Sequence, residues 1–103
     1  MYEKQDRQIC ETEYKKLMGY YKNISYNLIT ISDFRRCSAK IIDTPNYTIL
    51  RSYATIIAFI EKQTGKFYDV LRYVYGYTAT SCKHIAKFKS EYKNEISEYY
   101  YWR

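Results

Sequence analysis

Thr48-Ile49-Leu50-Arg51-Ser52-Tyr53-Ala54-Thr55-Ile56-Ile57-Ala58-Phe59-Ile60, then Glu61-Lys62-Gln63-Thr64-Gly65, then Lys66-Phe67-Tyr68-Asp69-Val70-Leu71-Arg72-Tyr73-Val74-Tyr75, is the stretch on which the fold turns. Two runs rich in β-branched and aromatic residues, joined by a short polar loop, read as a β-hairpin. Gly65, late in the loop, supplies the positive φ of a bulged turn. The reading makes 48–60 and 66–75 the strand-forming runs at the centre of a small sheet.

Upstream, Asp43-Thr44-Pro45-Asn46 is a break, because proline fixes its own φ, restricts the residue before it and has no amide for a ladder. Leu28-Ile29-Thr30-Ile31 and Ala39-Lys40-Ile41-Ile42 have strand-like composition, with Ser32-Asp33 offering a turn or a helix cap. Before them, residues 2–22 form an amphipathic pattern: Cys10, Tyr14, Leu17, Met18 and Tyr21 share one face of a 3.6-residue wheel. Acidic residues lead and lysines trail in this segment, the order that suits a helix dipole. Gly19 weakens it, so the helix is expected to end near Lys22-Asn23.

Downstream, Thr78-Ala79-Thr80-Ser81 offers hydroxyls to the first turn of a second helix. Ile85, Phe88, Tyr92, Ile96 and Tyr99 fall within an arc of about 80°, with Lys83, Lys87, Ser90 and Asn94 opposite, which predicts one face packed on the sheet. The expected architecture is α+β: an N-terminal helix, a small, mostly antiparallel sheet with a central hairpin, and a C-terminal amphipathic helix packed on the sheet.

The chain has 103 residues, enough for one domain and too few for two, so residues 1–103 are expected to share a single core. Fifteen tyrosines make that core thin and aromatic, since a buried phenol needs a partner for its hydroxyl. Cys10, Cys37 and Cys82 are odd in number and far apart, which fits reduced thiols. The charged N-terminus has no signal-peptide core and no apolar run reaches membrane-span length, so a soluble protein of the cytoplasm, without a membrane partner, is expected.

No P-loop, dinucleotide-binding glycine fingerprint, paired-cysteine zinc motif or nucleophile elbow is present, and three glycines leave no room for one. His84 is the lone histidine, and Cys82, two positions before it on the same helix, points some 200° away, so the two do not form a catalytic pair. The expectation is a histidine hydrogen-bonded to sheet or loop, with no catalytic residues, no metal and no cofactor. A net charge of +6 favours an anionic partner, yet both signs occur in every quarter of the chain and no basic tail exists.

Two candidate binding elements remain. Tyrosines alternate with other residues in Leu71-Arg72-Tyr73-Val74-Tyr75-Gly76-Tyr77, and the final helix adds Lys83, Lys87, Lys89 and Lys93. Rings and cations on one sheet face suit single-stranded nucleic acid, whereas exposed tyrosine and arginine suit a protein surface. The terminal Glu98-Tyr99-Tyr100-Tyr101-Trp102-Arg103 is either a cap over the core or an exposed anchor, which makes Tyr101 and Trp102 candidates as well.

Ser52-Tyr53-Ala54-Thr55-Ile56-Ile57-Ala58 and Tyr77-Thr78-Ala79-Thr80-Ser81-Cys82-Lys83-His84-Ile85-Ala86-Lys87-Phe88 carry a resemblance to a family of small proteins of phages and prophages of low-GC Gram-positive bacteria. Their pattern is Ser-Tyr-x-Thr-x-Ile/Val-Ala, a hairpin, then Tyr-Ser-x-Thr-Thr-x-Arg/Lys-His-Ile-x-Lys-Phe. This chain departs at Thr78 and Ser81. The match covers residues 50–92 and brings no catalytic residues with it. It implies a phage-encoded, non-enzymatic inhibitor, similar to anti-CRISPR proteins in size and composition, that acts in the bacterial host cytoplasm on a host protein or nucleoprotein complex. The alternative is a basic accessory protein of phage replication or transcription that contacts RNA or DNA. Oligomeric state is left open.

Overall fold

The computed structural model describes residues 3–35, 38–75 and 79–102. Along the chain run α1 (Glu3–Asn23), a 3-10 turn (Tyr26–Leu28), β1 (Thr30–Arg35), β2 (Ala39–Asp43), β3 (Tyr47–Ser52), β4 (Thr55–Glu61), β5 (Lys66–Asp69), α2 (Leu71–Val74), α3 (Ala79–Glu91) and β6 (Glu98–Tyr101). The six strands form one sheet in chain order, antiparallel from β1 to β5, with β6 added parallel to β5. The fold is α+β, as its sequence predicts.

Each sheet face has its own core. On one, Ile42, Ile49, Ile56, Phe59 and Tyr68 meet Cys10 and Leu17 of α1. On the other, Ile41, Leu50, Ile57, Ile60 and Phe67 meet Ile85 and Phe88 of α3. A strand covered on both faces has no solvent side to keep polar, which explains the unbroken run Ile56–Ile60 in β4. Between β3 and β4 the register runs from Leu50↔Ala58 to Arg51↔Ile56, so Ile57 is an extra residue. This bulge lets Ile57 and Ala58 both join the α3-side core. A similar offset between β1 and β2 leaves Phe34 unpaired in the ladder, and its ring meets Phe88 edge-on at 6.2 Å.

Several boundaries differ from the sequence reading. The run 48–60 contains a turn, Tyr53–Ala54, and Tyr53 sits at φ 55° in the left-handed region, its amide donating to the Ser38 carbonyl at 2.7 Å. Ser32 and Asp33 lie within β1 and neither turn nor cap is there. The second hairpin strand stops at Asp69, and Leu71–Val74 is a helical turn started by the Asp69 carboxylate, whose Oδ1 accepts the Leu71 amide at 3.0 Å. Arg72, Tyr73 and Tyr75 therefore do not alternate on a strand.

The largest difference is at the C-terminus. The predicted helix face holds for Ile85, Phe88 and Tyr92, but α3 ends at Glu91, and Tyr99 lies in a strand. Gly65 is the reason. At φ 76° its carbonyl accepts the Ser97 amide at 2.7 Å, while Ser97 Oγ donates to the Thr64 carbonyl at 2.8 Å. With residue 97 latched to the hairpin loop, residues 98–101 fall beside β5. Tyrosine's fit to a pleated surface does the rest: Tyr99 and Tyr101 pack on Phe67, and Tyr100 stacks on Tyr68 at 5.3 Å. The cap predicted over 78–81 lies partly outside the described residues, and Ser81 is buried inside α3. Among the described residues no helix is long and apolar enough to cross a membrane.

Candidate binding cleft

α3 lies across β3 and β4 and α1 across β5 and β6, on opposite faces. Beside α3, near the end of β6, this leaves a cleft of about 490 Å³. Its walls come from three places: Asp69, Leu71 and Arg72 at the start of α2, Cys82, Ile85, Ala86 and Lys89 of α3, and Tyr101 and Trp102. Four of the nine sequence-predicted binding residues thus meet here: Arg72, Lys89, Tyr101 and Trp102.

The rings at this end are engaged within the protein. Trp102 stacks on Tyr73 at 5.4 Å, carries the Arg7 guanidinium over its ring at 4.8 Å, and donates from Nε1 to Glu11 Oε1 at 3.2 Å. Its backbone amide donates to the Asp69 carbonyl at 2.8 Å. Tyr73 in turn meets Tyr14 edge-on at 5.7 Å. Lys89 donates to the Tyr101 hydroxyl at 3.2 Å and lies 5.0 Å from that ring's centre. Of the two readings of the terminal segment, the cap over the core holds.

The other predicted residues stand apart from the cleft. Tyr75 follows α2 with half its surface exposed. Lys83 and Lys87 are on the outer face of α3, where Lys87 pairs with Glu91 at 3.2 Å, and Lys93 is exposed in the turn beyond the helix. None of these three lysines is in the lining that holds Arg72.

His84 belongs to a second, buried polar group. Its Nδ1 lies 3.1 Å from Ser52 Oγ and its Nε2 3.2 Å from Ser38 Oγ, and Ser52 Oγ is 3.4 Å from Ser81 Oγ. Only 4% of His84 is exposed, and less still of Ser52 and Ser81. Serine hydroxyls both donate and accept, so they match either ring tautomer. The group ties α3 to the end of β3 and the start of β2. The sequence expectation of a histidine bonded to sheet or loop matches this, but nothing in the pattern linked it to its ring partners Ser38 and Ser52. Cys82, by contrast, faces the cleft as a free thiol, so the two residues occupy separate surroundings. Cys37 lies outside the described residues. Among the described residues no group of three or more histidine, cysteine or acidic side chains gathers to hold a metal.

Burial raises the phenol pKa of four tyrosines above the ordinary value, with nearby charges adding to it. For Tyr68 and Tyr47 the added charges are Glu13 and Glu61, for Tyr92 chiefly Glu95, and for Tyr14 the neighbouring Tyr73. All four are neutral structural groups at neutral pH.

No family model, curated protein or solved structure matches the chain. The cleft's own chemistry is what bears on function.

Proposed function

We propose that the chain is a non-enzymatic, phage-encoded binding protein that blocks a host protein or nucleoprotein complex in the bacterial cytoplasm by occupying part of its surface. The observation that carries this reading is the meeting of Arg72, Lys89, Tyr101 and Trp102 around one open cleft, although they are spread over residues 72–102. A concave site that gathers a few polar and charged groups beside apolar ones is the default place to look for a binding site.

The rival, a nucleic-acid-binding accessory protein of phage replication or transcription, draws on the +6 net charge. Strand-tracking binders need open ring faces for bases and a continuous run of cations for phosphates. Here Trp102 is stacked between Arg7 and Tyr73, Tyr101 is covered by Lys89, and Lys87 is paired with Glu91. These contacts weigh against tracking along a strand.

Affinity purification from host cells, with and without nuclease, tests the choice. The expected result is a protein that stays bound after nuclease treatment and whose activity falls when the purified chain is added. Naked DNA or RNA should bind only at about 10⁻⁴ to 10⁻⁶ M in physiological salt. Nanomolar, sequence-tolerant binding to naked nucleic acid, or loss of every partner on nuclease treatment, would overturn the proposal in favour of its rival.

A further inference from the structure

Among the described residues β1 is an outer strand of the sheet and pairs with β2 alone, so its far side presents backbone amides and carbonyls without ladder partners. Proteins usually protect such an edge with lysine, proline, a bulge or a cover. Thr30–Asp33 holds neither proline nor lysine and keeps one-to-one register with Asp43–Lys40; the irregularity comes only after Asp33. Its single charge, Asp33, is ion-paired to Lys40 of β2. The large apolar side chains left exposed among the described residues are Tyr26, Leu28, Ile31, Tyr53, Tyr75 and Tyr99. Three of them fall within residues 26–31, each with more than half its surface in water. Apolar side chains gathered beside an open strand edge make that edge a template for another strand.

We infer that β1 pairs antiparallel with β1 of a second copy of this chain, about a two-fold axis at Ile31, joining the two sheets edge to edge. In this register the strand is complementary to itself. Successive side chains point to opposite faces, so Ile31, opposite Ile42, lies on the α1 side, and Ser32, opposite Ile41, lies with Thr30 on the α3 side. Ile31 then meets the second copy's Ile31, and Thr30 meets the second copy's Ser32, an apolar pair flanked by two hydroxyl pairs. The two Asp33 residues end about 13 Å apart along the ladder, so no like charges face one another. Other centres match less well. An axis at Ser32 sets Ile31 against Asp33, an axis at Asp33 opposes two carboxylates, and an axis at Thr30 draws in Ile29, whose amide already donates to the Tyr26 carbonyl at 3.1 Å. A strand of unrelated sequence would find the same backbone groups but not this matched order of side chains. The pairing closes at two copies. It uses the sheet edge away from β6, whose Tyr101 lines the cleft.

Sedimentation equilibrium of the whole chain tests the inference. The expected mass is twice 12.6 kDa at about 100 µM, falling to the monomer on dilution through the micromolar range, as suits a small interface. Ile31→Lys changes an exposed side chain and opposes two ammoniums at the axis; it should weaken the dimer at least about tenfold with circular dichroism unchanged. Disulfide capture reads the register, in a Cys37→Ser, Cys82→Ser background that leaves only the fully buried Cys10. Directly opposed residues have Cα atoms about 4.5–5.5 Å apart, within the span of a disulfide. Ile31→Cys should therefore give a covalent dimer on mild oxidation, its link between the two copies of residue 31 found by peptide mass spectrometry, and Asp33→Cys should not.

A chain that stays monomeric up to about 1 mM, a dimer that Ile31→Lys leaves intact, or capture at residue 33 in preference to residue 31 would overturn the inference.

Discussion

The same substitution should have opposite effects at two glycines. At Gly65, a Cβ would lie 2.9 Å from the Glu95 carbonyl oxygen, 3.0 Å from Ser97 Oγ and 3.2 Å from the Ser97 amide nitrogen. Two of these three atoms are backbone, so no rotamer change relieves the contact, and φ 76° adds a left-handed penalty of about 1–2 kcal/mol for a residue with a side chain. Forcing a methyl into filled space costs about 1–3 kcal/mol more. Gly65→Ala should therefore destabilise the protein by about 2–5 kcal/mol. At Gly19, in the exposed part of α1, a Cβ meets nothing within 4 Å, and Gly19→Ala should stabilise by roughly 0.5–1 kcal/mol through helix propensity and a stiffer unfolded chain. Urea melts at one temperature measure both. Hydrogen exchange at Tyr99–Tyr101 should also quicken in Gly65→Ala, because the Ser97 latch that places β6 is lost. A Gly65→Ala protein within about 0.5 kcal/mol of wild type, a value typical of inert surface changes, would refute the latch.

Phe88 is fully buried between Phe34, Phe67 and Tyr92, so Phe88→Ala should cost about 3–5 kcal/mol, while exposed Lys87→Ala changes stability by at most about 0.5 kcal/mol; equal shifts in denaturant melts would show the α3 face to be misassigned. Tyr14, Tyr47, Tyr68 and Tyr92 hold their protons above the ordinary tyrosine value, so the unfolded chain ionises first: stability is complete below about pH 10 and falls as pH rises towards the folded values. Phenolate absorbance and circular dichroism followed together should show these four ionising only as the fold is lost, and ionisation of all fifteen tyrosines with native dichroism retained would contradict it.

Local patterns carried the elements whose burial is periodic. Cys10 and Leu17 recur at helical spacing and do meet the sheet, and Gly65 does take a positive φ. What the patterns lacked was any sign of partners far along the chain. The run 48–60 contains no glycine or proline at its turn, since Tyr53 itself adopts the left-handed conformation, so one strand and two strands look alike. Likewise 66–75 is apolar and aromatic throughout, and only the Asp69 carboxylate on the Leu71 amide divides strand from helical turn. His84 was legible as a residue hydrogen-bonded to sheet or loop, yet which serines it met depended on β2, β3 and α3 coming together.

The overlong reading of the C-terminal helix, which stops at Glu91, and the unforeseen cleft have one origin. Had α3 continued at 1.5 Å per residue, Tyr101 would lie about 15 Å beyond Glu91, too far along the axis to meet a lysine on the preceding turn. Instead the chain turns through Tyr92–Ser97, with Glu95 and Ile96 amides bonded to Tyr92 and Lys93 carbonyls, and runs back so that the Tyr101 hydroxyl accepts from Lys89. That reversal gives the cleft its Tyr101 wall and brings Trp102 to the Asp69 carbonyl. Residue type alone grouped Lys89 with Lys83, Lys87 and Lys93; the parallel pairing of β6 with β5 separates it from them. The binding residues are thus recognisable by type in the sequence, but their grouping exists only because Gly65 and Ser97 join two segments 32 positions apart.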